Sequence, residues 1–168
     1  MDRASSSRVS DGTVQCWGSS TYGQLGYGNQ NTIGDNELPS AVGPVSVSSS
    51  PGAFVTALDT GVAHTCALLS DHTVKCWGFG VNGALGYGNQ NTIGDNELPS
   101  SVGPVSISNA PGVTVTALAL GAFHSCALLS DGTVTCWGDA HDGEPGAGNT
   151  NRIGDDELPS SVGPVVLF

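Results

Sequence analysis

Positive charge is nearly absent from this chain: four Lys and Arg stand against fifteen Asp and Glu, a formal charge of −11. Binding nucleic acid through its phosphates requires clustered cations. Arg3, Arg8, Lys75 and Arg152 are scattered singly, which disfavours a nucleic-acid partner. The acidity reads first as solubility, and in a sharper form as steering of a cationic partner. No apolar run approaches the roughly 18 residues needed to span a bilayer, so no membrane span is expected. Helical periodicity is missing too, and nine prolines and 25 glycines oppose it. The N-terminal MDRASSSRVSDG lacks the apolar core of a signal peptide, so an export signal, if the protein is exported, is expected upstream. No Ser/His/Asp set, phosphate-cradling glycine loop or lone activated cysteine occurs at a recognisable motif spacing. The expectation is therefore a non-enzyme, without catalytic residues or cofactors.

What the chain does contain is repetition. HTCALLSDHTVKCWG beginning at His64 returns as HSCALLSDGTVTCWG beginning at His124, and DGTVQCWG beginning at Asp11 repeats its second half. Cys16, Cys76 and Cys136 recur at a spacing of 60 residues, a period that marks solenoids, propellers or arrays.

Within one period, FVTALDT, HTCALLS, TVKCWG and GPVSI are short, rich in β-branched and aromatic residues, and bounded by Gly, Asp, Ser or Pro. They predict four strands per repeat. The Ser-Asp-Gly at Ser130 to Gly132, matched at Ser10 to Gly12, is a tight-turn signal. In the middle copy the glycine position holds His72, which tolerates a left-handed backbone less well. Four-stranded antiparallel sheets with short connections suggest an all-β protein of blades arranged about an axis.

The order G-x-x-H-x-C-A-L-x-x-D-G-x-V-x-C-W-G followed by G-x-L-G resembles the repeats of the RCC1 (regulator of chromosome condensation) family, a β-propeller family, in its cysteine-bearing bacterial form. The resemblance covers nearly the whole chain and implies a ring of about seven blades. Here the repeats divide into an incomplete first blade with a long loop over 1–52, a complete second blade over 53–108, and a third over 109–168 with a degenerate loop. The first lacks its inner strand. About two and a half to three blades cannot close that ring, leaving three alternatives: a fragment of a longer propeller, self-association through uncovered blade edges, or an open array.

Several side chains are candidates for special roles. A three-residue turn centred on Asp71 sets Cys66 opposite Cys76, and likewise Cys126 opposite Cys136, as structural disulfides. The corresponding partner of Cys16 is Ser6, which leaves Cys16 an unpaired thiol. Cross-strand pairs imply an oxidising compartment; buried reduced thiols are the alternative. Zinc is not expected, because cysteines ten residues apart in a hairpin lack its ligand spacing. His64 and His124 are expected as core histidines bonded to a neighbouring turn carbonyl, and His72 and His141 as solvent-facing. Trp17, Trp77 and Trp137 each follow a cysteine, so strand alternation turns indole and sulfur to opposite faces. Packing between adjacent blades is the expected use of the indoles.

After each Trp-Gly comes a long connection, GYGNQNTIGDNELPS from Gly26 and from Gly86, and GAGNTNRIGDDELPS from Gly146. Asn89, Asn91, Asp95 and Glu97 could hold Ca²⁺ if the loop folds on itself, although Asn and Asp here are also ordinary turn chemistry. A carboxylate pair such as Asp95 and Glu97 for glycoside hydrolysis is the weaker reading, since the site would be triplicated. In the third copy Pro145 replaces Leu85 and Ala147 replaces Tyr87, so that loop is expected to be less well anchored. The leading functional expectation is a binding or scaffold module for a protein or glycan ligand, in an exported or cell-surface bacterial protein. The family resemblance implies one alternative, guanine nucleotide exchange with chromatin association. Bacterial relatives resembling propellers that cap secreted enzymes imply another, enzyme inhibition.

Overall fold

The computed structural model describes residues 4–8 and 11–166. Arg3, the Ser10 end of the first expected turn, and the outer limits of the first and third repeats at residues 1 and 168 lie outside the described residues. Eight strands form three antiparallel sheets. The first sheet contains β1 (Ala4–Arg8) and β2 (Val14–Gly18); the second β3 (Val55–Thr60), β4 (His64–Leu69) and β5 (Val74–Gly78); the third β6 (Val115–Leu120), β7 (His124–Leu129) and β8 (Val134–Gly138). The chain is thus an all-β partial propeller whose sheets do not close a ring. Among the described residues the only helical pieces are single turns at Pro39–Ala41, Pro99–Ser101 and Pro159–Val162, and no helix is long and apolar enough to cross a membrane.

Each hairpin is closed by the same local chemistry. Asp71 Oδ1 accepts from the Thr73 amide at 3.1 Å and its hydroxyl at 2.6 Å, and Asp11 with Thr13 and Asp131 with Thr133 repeat the arrangement. These bonds hold the carboxyls of Asp71, Asp11 and Asp131 below the usual carboxylate range. The next residue must enter the left-handed region: Gly12 and Gly132 sit at φ 83° and 85°, and His72 does so at φ 65°. It is the only non-glycine residue with positive φ among the described residues. His72, expected to face solvent, is exposed but places Nδ1 3.3 Å from the Val115 carbonyl of the next sheet.

The GPVS segment expected as a fourth, outer strand is not a strand. It contributes one backbone bond to its own sheet per repeat, from the amides of Val45, Val105 and Val165 to the carbonyls of Val14, Val74 and Val134 at 2.7–2.9 Å. Pro44, Pro104 and Pro164 have no amide to extend a ladder. In the first two repeats a tyrosine also intervenes: the Tyr27 hydroxyl occupies the amide and carbonyl of Cys16, and the Tyr87 hydroxyl those of Cys76. A side chain thereby takes the place of a strand at the sheet edge and satisfies backbone groups that a buried edge cannot leave unpaired. The connecting loop closes on the same edge through paired bonds between Gly18 and Ile33, Gly78 and Ile93, and Gly138 and Ile153. Lys75 is likewise not a surface cation. It is buried, and its ammonium donates to the carbonyls of Pro99 and Val102; burial pushes its pKa down.

The core runs through the seams between sheets. Trp77 and Trp137 are fully buried, whereas Trp17, with no sheet before it among the described residues, is only half-buried. The Trp77 indole donates to the Gln24 carbonyl in the preceding repeat at 3.0 Å, and Trp137 donates to the Ala84 carbonyl at 3.0 Å. Each of these carbonyls takes a second donor from the later sheet, Thr65 Oγ1 on Gln24 and Ser125 Oγ on Ala84, both at 2.9 Å. Close seating of the indole demands glycine opposite: a Cβ on Gly26 would lie 2.8 Å from Trp77 Nε1, and one on Gly86 2.7 Å from Trp137 Nε1. Tyr22, Phe79 and Phe123 continue the contact across all three repeats, with ring centroids 4.7 and 6.4 Å apart.

Candidate functional site

The hairpins bring the cysteines together by register. Cys66 pairs with Cys76 and Cys126 with Cys136 across their strands, with sulfurs 2.09 and 2.10 Å apart. The backbone of Ser6 lies opposite Cys16, which is a buried free thiol. Burial pushes that thiol up to about 12, so it stays protonated and unreactive at neutral pH.

His64 is buried, but its partner is not the neighbouring turn carbonyl expected from sequence. Its Nε2 lies 3.0 Å from the hydroxyl of Ser125 on the next sheet, and that hydroxyl gives its own proton to Ala84. His64 must therefore donate, which places a proton on Nε2. The ring is seated against Gly61, where a Cβ would stand 2.4 Å from the imidazole Cε1. This seam network was not anticipated. The signal available was the hydroxyl residue following each histidine, Thr65 and Ser125.

Burial, and secondarily the charge of His124, push His64 down to about 4 from an ordinary 6.5. A histidine depressed on folding takes its proton first in the unfolded chain, so the folded state keeps its full stability above about pH 6.5. It then loses about 3 kcal/mol as pH falls to about 4. Urea unfolding at pH 7, 5.5 and 4 is expected to show this slope in the parent chain and lose most of it in His64→Gln. The Asp carboxyls held low in the turns titrate below this window, whereas Glu157, held up to about 6, opposes the His64 slope within it and does so equally in both chains.

In the second long loop two of the four candidate calcium ligands, Asn89 and Asn91, take part in a local turn. Asn89 accepts from the Asn91 amide at 2.9 Å and donates to the Tyr87 carbonyl, an ordinary turn arrangement repeated at Asn29 and Asn149. Glu97 accepts from the Asn96 amide, and Asp95 Oδ1 is buried with no hydrogen-bond partner among the described residues. The third copy differs. Asp156 stands where Asn96 stands in the second, and oxygens of Asp155, Asp156 and Glu157 lie within 4.8 Å of one another. Burial, the Asp156 side chain and the neighbouring carboxylates push Glu157 up to about 6. Asp139 and Arg152 pair nearby at 3.5 Å. His141 is exposed at the rim of the same recess.

Successive loops also touch. A Cβ on Gly23 would meet the Asp95 amide at 2.3 Å, and one on Gly83 the Asp155 amide at 2.8 Å. Gln90 Nε2 donates to Asp155 Oδ2 at 3.5 Å. The acidic halves of the second and third loops are thereby each laid against the repeat before them, on one acidic flank. In the third repeat the Gly138–Ile153 closure persists, but Ala147 removes the tyrosine bridge.

Comparison with known proteins agrees with this architecture. Two sequence models described as "Regulator of chromosome condensation (RCC1) repeat" match the chain, one at residues 11–68 and 71–128 and the other at 55–84 and 115–144. The E3 ubiquitin-protein ligase HERC2 of Homo sapiens is 30% identical over 143 residues, covering 85% of this chain and 3% of that protein. The ultraviolet-B receptor UVR8 of Arabidopsis thaliana is 28% identical over 151 residues, covering 89% of this chain and 31% of the receptor. The crystal structure of Prp20p from Saccharomyces cerevisiae, a study that also describes its binding to Gsp1p and histones, superposes with a TM-score of 0.64. It shares 19% identity and covers 93% of this chain and 36% of that one. The chain thus spans less than a third of these two curated relatives. Repeated hairpins, tryptophan-filled seams and the matched segments together place this chain in the RCC1 repeat family.

Proposed function

We propose that this chain is a non-enzymatic binding module of an exported protein, which uses its acidic flank to hold a cationic protein surface. The observation that carries the reading is the laying of the second and third acidic loops against the repeats before them, an arrangement in which neighbouring carboxylates add their potentials. The formal charge of −11 supports it, as does the repetition of the same loop in place of one unique reactive constellation. Two cross-strand cysteine pairs at bonding distance support an oxidising, extracellular setting. Histone binding described for Prp20p is a precedent for a basic partner on this fold.

The test immobilises the 168-residue chain and passes over it a histone, as a defined basic protein, and an acidic protein of similar size at 50 and 300 mM salt. Histone binding that weakens steeply with salt, with none to the acidic control, is expected. Nucleotide release from a small GTPase should be unchanged by the chain. Absence of histone binding at 50 mM salt, or acceleration of nucleotide release, would contradict the proposal.

A further inference from the structure

The third repeat lacks a phenol that the other two possess. In the first repeat the Tyr27 hydroxyl accepts from the Cys16 amide at 3.3 Å and shares its proton between the carbonyls of Cys16, at 3.3 Å, and Gly43, at 3.1 Å. In the second, the Tyr87 hydroxyl lies 3.2 Å from both the amide and the carbonyl of Cys76. Ala147 occupies the equivalent position in the third. Among the described residues no hydrogen bond reaches the corresponding edge of Cys136 in its place. Cys136 is 8% exposed, where Cys16 and Cys76 are fully buried.

What remains is a cavity of about 380 Å³, lined by Cys136, Pro145, Ala147, Ile153, Gly163 and Val165 among others. Ile153 and Val165, which supply apolar wall to the cavity, hold the positions of the buried Ile33 and Val45 in the first repeat and Ile93 and Val105 in the second. At its inner end lies the backbone edge of Cys136, equivalent to the edges that hold a hydroxyl twice elsewhere in the chain. The backbone over 146–149 is exposed, so the space is open to solvent. An unfilled apolar cavity takes up a ring of matching size, and an unsatisfied amide and carbonyl add a demand for one group that both accepts and donates.

We infer that this cavity is a binding site for a para-substituted phenol, which restores the Cys136 contacts that the Tyr27 and Tyr87 hydroxyls make in their own repeats. The ring lies between Ile153 and Val165, the hydroxyl meets the Cys136 amide and carbonyl, and the para substituent points back toward Ala147 and solvent. Two sources share this chemistry, a free alkylphenol and a tyrosyl side chain. The phenol binds in its neutral form; burial pushes Tyr87, in the equivalent place, up to about 12.

The experiment titrates the 15N-labelled 168-residue chain with 4-methylphenol, toluene, N-acetyl-tyrosinamide and N-acetyl-phenylalaninamide, following the Cys136 amide. Saturable shifts centred on Cys136 are expected with 4-methylphenol at concentrations on the order of a millimolar, with at least about tenfold weaker binding of toluene. Parallel binding of the tyrosine derivative, with the phenylalanine derivative again weaker, identifies tyrosyl side chains as ligands; binding of 4-methylphenol alone identifies free phenols. Ala147→Tyr and Ala147→Phe should each abolish binding by filling the cavity. Equal binding of toluene, no shift at Cys136 with either phenol, or undiminished binding in a folded Ala147→Tyr chain would each overturn the inference.

Discussion

Replacing Trp77 by alanine is expected to destabilise the array by about 3–5 kcal/mol, the range for emptying a buried aromatic site. The indole is fully buried between the first and second sheets, and its loss also leaves the Gln24 carbonyl with one donor instead of two. A loss of this size is a large share of the stability of a small domain. Because the sheets contact only their neighbours, the damage should concentrate at that seam. Trp137→Ala should behave alike at the second seam through Ala84. Trp17→Ala should cost less than half as much, since Trp17 is half-buried and has no such partner among the described residues. Urea unfolding of the three variants checks the order. Equal losses at all three positions would mean that the indoles serve their own sheets and not the seams.

Reducing both cysteine pairs is expected to lower stability by about 5–6 kcal/mol in total. Each bond closes a loop of about eleven residues, for which the chain-entropy estimate is about 3 kcal/mol. The register places each pair directly across two strands of one hairpin, so reduction frees the unfolded chain without removing native backbone bonds. Urea midpoints with and without a thiol reductant, beside a count of free thiols, make the measurement. One free thiol and a marked drop on reduction are expected; five free thiols in the untreated protein would contradict the pairing.

Much of the sheet architecture was legible because local chemistry and the repeat agree. Asp followed two residues later by Thr closes each hairpin, and the spacing of the cysteines fixes its register. The left-handed position held by His72 was visible from its two glycine equivalents. The outer edge was misread for a physical reason: GPVS has strand-like composition, yet proline withholds an amide and, in the first two repeats, the tyrosine eleven residues after Cys16 or Cys76 takes the central backbone groups. Pattern reasoning reads this tyrosine as an apolar anchor of its loop and cannot see its hydroxyl act as a rung. The His64 network escaped for a related reason, since its partner Ser125 lies 61 residues away and meets it only when sheets stack. The substitution of Ala147 for tyrosine was evident in the sequence, but its consequence required knowing what Tyr27 and Tyr87 bind.

The central physical claim is that successive sheets are joined by indoles donating into the loop of the preceding repeat. Hydrogen exchange of the three indole Nε1 protons, resolved in one 15N spectrum, tests it most directly. Slow exchange at Trp77 and Trp137 with rapid exchange at Trp17 is the predicted result. Rapid exchange at all three would contradict the account, because a proton held by the Gln24 or Ala84 carbonyl within a closed seam cannot be lost without opening it.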